Sequence, residues 1–138
     1  DALQKLKGEF ALSVNAEFAG EPRLDRRTYV DHMLRARIAF SPMGWGEVTG
    51  RCYEAVLHGN LFIQPNADHI SLHPDLIRPH ETYVPVKWDC SDLPDVCRHY
   101  LSHPDEAERI VSNARDAFVE YYQKSHFVTE LEALLQRG

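Results

Sequence analysis

With 138 residues, 43% of them hydrophobic and 26% charged, the chain has the size and composition of one globular domain, which excludes a disordered tail or a fibrous repeat. A net charge of −6 excludes a broad basic surface for nucleic acid, and the one basic concentration, Arg23, Arg26, Arg27, Arg35 and Arg37, reads as a solvated helix face. No apolar run approaches the ~20 residues that span a bilayer, and no basic-then-apolar leader opens the sequence.

Three cysteines, Cys52, Cys90 and Cys97, lack CxxC spacing and fit reduced thiols in a cytoplasmic setting. Because the first residue is Asp1, removal of an N-terminal segment and a secretory-pathway lumen form the alternative.

Short apolar runs alternate with helical periodicity, the pattern of βαβ units on a parallel sheet. The first predicted strand covers 10–14. A helix follows over 28–36, with Tyr29, Met33 and Ala36 at helical spacing and Val30 with Leu34 beside them. The second strand is 38–40, and the second helix runs over 49–58 on a stripe of Cys52, Ala55 and Val56, with Gly59 as its C′ residue.

Strands over 61–64 and 83–86 come next, both mostly apolar, as strands covered on two faces should be. Leu93, Val96, Cys97 and Tyr100 predict a helix over 92–102. Pro104 opens another that carries Ile110, Val111, Ala114, Ala117, Phe118 and Tyr121 for roughly four turns. Phe127, Leu131, Leu134 and Leu135 mark a last amphipathic helix. The expected class is α/β: one Rossmann-like domain over 1–138, a parallel sheet with flanking helices and a helical C-terminal third.

The segment 41–59 joins the carboxyl end of a predicted strand to the amino end of a helix. Open parallel sheets bind ligands at that edge, where a helix N-terminus offers N–H groups and about half a positive charge to an anion. Ser41 begins the turn, Gly44, Gly46 and Gly50 allow close backbone approach, and Glu47, Val48 and Thr49 lead into the helix. Arg51 gains nothing from the dipole in a first turn, so it reads as serving a bound diphosphate. Glu54, three residues on and on the same face, is placed to accept hydrogen bonds from ribose hydroxyls; an Arg51–Glu54 pair on a solvated helix is the plain alternative.

Ser41, the glycine loop and Arg51-x-x-Glu54-Ala55-x-x-x-Gly59 resemble the donor-site segment of GT-B glycosyltransferases. The nearest likeness is to the spore-protein-like glycosyltransferases and the capsule-associated and protein O-glucosyltransferase group. It continues through Arg78-Pro79-x-Glu81-Thr82-Tyr83-Val84-Pro85-Val86 and Asp92-Leu93 to His103-Pro104-Asp105-Glu106-Ala107-Glu108-Arg109-Ile110 with Asn113-Ala114. The resemblance implies a C-terminal donor lobe that binds a nucleoside-diphosphate sugar, a UDP-sugar by preference, and transfers the hexose to a hydroxyl without a cofactor or metal. It places Glu54 on the ribose and Arg51 on the diphosphate.

It also implies a second lobe for the glycan, lipid or protein acceptor, which would supply the general base. One departure stands out: retaining members of the wider superfamily place an acid eight positions before Glu54, where this chain has Gly46, with Glu47 beside it. The rival reading is a non-catalytic module of the same fold that binds a nucleotide or a protein.

After the third strand, Asn66, Asp68, His69, His73, Asp75 and His80 crowd a loop whose spacing matches no zinc signature. Asp68 and His69 are the donor-contact candidates there, with a solvated loop as the alternative. Trp88 reads as a core cap more than a nucleobase platform, and Trp45 as either a packing plug or a ligand wall. Cys52 reads as core.

Overall fold

The structure, a computed structural model, describes residues 6–13, 24–43, 49–72 and 74–136. In chain order its elements are α1 (Arg26–Arg35), β1 (Ile38–Phe40), α2 (Gly50–His58), β2 (Leu61–Pro65), β3 (Val84–Val86), α3 (Leu93–Ser102), α4 (Pro104–Gln123) and α5 (His126–Leu135). Among the described residues the sheet has three parallel strands in the order β1-β2-β3. Ile38 faces Leu61 and Phe40 faces Ile63 across the first pair, and Ile63 faces Val84 across the second. Helices cover both faces, so the architecture is the Rossmann-like α/β layering that the pattern predicts.

Every residue of β2 is buried. On one face Leu61 and Ile63 join Val84 and Val86 under Leu93 and Cys97 of α3 and Ile110 of α4. On the other, Ala39, Phe62 and Tyr83 pack against Met33 of α1 and against Cys52 and Ala55 of α2. The 20-residue α4 is about 30 Å long, longer than the four turns its stripe predicts, and brings Phe118 and Tyr121 round to Leu76, Tyr53 and Val56.

Local chemistry fixes the joints. Asp25 caps α1 by accepting from the backbone of Arg27 and Thr28 at 3.0 and 3.1 Å, which starts the helix two residues before the predicted 28. Gly59 ends α2 at φ 73°, a left-handed conformation that glycine takes without penalty, and donates to the Ala55 and Val56 carbonyls. The next residue, Asn60, is buried and donates through Nδ2 to the carbonyls of Met33 at 2.9 Å and Ala36 at 2.6 Å. That amide ties the end of α1 to the start of β2.

Two expectations are corrected. Residues 10–13 are not a strand: the chain makes a helical turn through Leu6, bends at Phe10 and runs on irregularly, with Leu6 and Phe10 packed against the core. Trp88 does not cap the core; it is 57% exposed, because the turn after β3 carries it outward. Among the described residues no helix is long and apolar enough to cross a membrane.

Candidate functional site

The carboxyl ends of β1 and β2 and the amino end of α2 meet at one edge of the sheet. Ser41 is buried there, and its N–H continues the ladder by donating to the Ile63 carbonyl at 3.0 Å. Gly44, Gly46, Glu47 and Val48, with Trp45, lie outside the described residues, so the candidate site is built from what flanks them.

Thr49 is the N-cap residue of α2, yet its hydroxyl makes no capping bond. The Cys52 N–H donates back to the Thr49 carbonyl at 3.1 Å, and the N–H groups of Gly50 and Arg51 have no acceptor among the described residues, at the positive end of the helix dipole. Gly50 opens the helix at the surface, and a methyl group added to it would meet nothing within 4 Å. Cys52 anchors the turn from beneath, its thiol donating to the Thr49 carbonyl at 3.0 Å. Burial pushes that thiol up to about 11, so it sits in the core as a neutral group, as its place on the apolar stripe predicts.

Arg51 and Glu54 are half-buried neighbours on α2. They do not pair with each other: among the described residues no ion pair joins them. Glu54 Oε2 instead accepts a 2.6 Å hydrogen bond from the hydroxyl of Tyr29, 25 residues earlier on α1. Burial is the main cause that raises the Tyr29 phenol above its ordinary value, with the Glu54 hydrogen bond and charge adding to it and the nearby Arg51 guanidinium opposing it. At neutral pH the phenol is thus firmly a donor and the carboxylate its acceptor.

Periodicity reads Tyr29 as a residue packed on the sheet, and part of its ring is, beside Met33 and Ala39. Its polar end is what the sequence pattern misses. A contact across 25 residues leaves no mark on local spacing.

Arg51 and Tyr29 also line a cavity of about 740 Å³ with Pro42, Phe40, His32 and Ser13. Its walls are mostly apolar, and a 2.6 Å contact between Ser13 Oγ and His32 Nδ1 is part of its lining. Ser41, Asp68 and His69 do not line it. Asp68 is held in a local turn, its N–H donating to Asn66 Oδ1 at 2.7 Å and its carboxylate accepting from Asn66 Nδ2 at 3.0 Å. His69 lies against the exposed Trp88 with ring centres 5.3 Å apart, an aromatic pair at the strand ends that neither residue type announces in sequence.

The structure therefore brings Arg51, Glu54 and Tyr29 together and leaves Asp68 and His69 in a neighbouring loop. A cation, an uncapped helix N-terminus and a carboxylate held by one of its two oxygens can, in chemical terms, receive an anion and the hydroxyls attached to it. Comparison with known families matches residues 3–133, nearly the whole chain, to the family described as glycosyl transferase-like. A search of curated proteins finds no match.

Proposed function

The chain belongs to the glycosyl transferase-like family, and from that premise we propose that it is the donor-binding, C-terminal lobe of a GT-B enzyme acting on a nucleoside-diphosphate sugar. The observation that carries the reading is the separation of Arg51 from Glu54 at the uncapped end of α2. The guanidinium is left for a diphosphate and one carboxylate oxygen for a ribose.

In this reading the hexose leaves its nucleoside diphosphate for an acceptor hydroxyl, and negative charge grows on the departing phosphate oxygen. Arg51 and the first-turn N–H groups of α2 stabilise that charge, more strongly as it develops than in the ground state. The general base belongs to the acceptor side of the cleft. Among the finer relationships, the ordered motifs favour the spore-protein-like and O-glucosyltransferase group, and UDP as the nucleotide.

Calorimetric titration with UDP, GDP, ADP and CMP tests the proposal. We expect UDP to bind best, and Arg51→Ala to weaken it by about ten- to a hundredfold, the worth of a charge-assisted hydrogen bond. A folded protein that ignores all four nucleotides at millimolar concentration overturns it.

A further inference from the structure

We propose that Tyr29 is a positioning residue that holds Glu54 away from Arg51 and so keeps both ready for a nucleotide. This rests on the reading of the α2 end as the donor site. Arg51 and Glu54 stand at i and i+3, where opposite charges ordinarily find each other on a helix surface. A pair closed on itself would offer neither a free cation to a diphosphate nor a free carboxylate to a ribose.

The Tyr29 hydroxyl prevents this by occupying Oε2 at 2.6 Å, and the described residues give Glu54 no ion pair. The phenol can hold that place because it is anchored from behind. It packs against the core cluster that holds Met33, Ala39 and Phe62, α1 is capped by Asp25, and Asn60 fixes the end of the same helix through two carbonyls. Tyr29, whose phenol the Arg51 side chain is near enough to act on, holds Glu54 through Oε2. It leaves Oε1 of Glu54, the oxygen without a described hydrogen bond, as the acceptor for a sugar hydroxyl.

The test compares wild type, Tyr29→Phe, Glu54→Gln and the double variant for binding of UDP and 2′,3′-dideoxy-UDP, with melting curves as the check on folding. Wild type should favour UDP by about tenfold, the worth of hydrogen bonds to a charged acceptor, and Tyr29→Phe should reduce that preference to about twofold. In the Glu54→Gln background the same change should have no further effect on the preference.

A folded Tyr29→Phe protein that keeps the full ribose preference overturns the inference. A second measurement needs no nucleotide: ¹⁵N NMR of the Arg51 guanidinium should show slowed Nε–H exchange and a contact to Glu54 in Tyr29→Phe but not in wild type. An unchanged guanidinium signal also overturns it. Wild type that ignores UDP defeats the donor-site reading instead, and the NMR comparison still decides whether Tyr29 keeps the charges apart.

Discussion

Helices α2 and α5 have nearly the same length and each carries an apolar stripe, yet they turn opposite sides to the molecule. In α2 the stripe goes inward: Cys52 and Ala55 are buried against Phe62, and Leu57 is the large apolar side chain of the helix left to solvent. In α5 no residue is buried, and Phe127, Val128, Leu131, Leu134 and Leu135 face solvent. Its inward contacts are polar, with the Tyr121 hydroxyl donating to Glu130 Oε2 at 2.9 Å and the His126 ring stacked on Tyr121.

The difference teaches that periodicity reveals a stripe and leaves its direction open. Direction is set by the elements on either side of the helix in the chain. Between β1 and β2, and stopped by Gly59, α2 has no choice but to lie on the sheet. Past Ser125, which takes a left-handed turn at φ 53°, α5 leaves the layered body and packs chiefly on the end of α4.

The comparison can be broken by substitution. The strongest blow falls on the floor beneath α2: Phe62→Ala, at a buried site, should cost about 3–5 kcal/mol in chemical denaturation. Ala55→Leu forces extra volume between α2 and β2 and should cost about 1–3 kcal/mol. Gly59→Ala meets no steric neighbour, so its cost of about 1 kcal/mol is the left-handed backbone alone.

Alkaline pH acts on both faces of the sheet. Cys52 and Cys97 have thiols raised to about 11 by burial, whereas the unfolded chain releases those protons near 9. Stability from the neutral thiols is complete below pH 9 and drains away as pH rises toward 11, which a series of melting curves would record. At the far end, Leu134→Gln on α5 should shift stability by no more than about 0.5 kcal/mol. If it costs as much as Ala55→Leu, α5 is packed in solution and the contrast fails.

Much of this fold is legible in sequence because parallel strands buried on both faces are short apolar runs, and 38–40, 61–64 and 83–86 stand out as such. Gly59 and Pro104 punctuate the helices for equally local reasons. The run 10–14 misleads by the same rule: Phe10 is apolar because it packs against the core from an irregular segment, not because it pairs. Trp88 misleads because size and apolarity do not say which way a turn points.

At the site, Arg51 is visible because a cation in a first turn is locally odd, and Glu54 because it stands three residues on along the same face. Their relation to each other is not, since it depends on Tyr29, brought in by the packing of α1 on the sheet.

Asn60 bears on how reliably the sheet assembles. Strand β2 is buried on both faces, and across Leu61, Phe62 and Ile63 a slip of one residue along β1 exchanges one apolar side chain for another, which gives hydrophobicity little to choose between. The amide does choose. A one-place slip swings Asn60 off the Met33 and Ala36 carbonyls and leaves buried donors and acceptors without partners. The residue works as a proofreader of strand alignment, penalising the wrong sheet more than it strengthens the right one, and its loss should appear first as heterogeneous or aggregating protein.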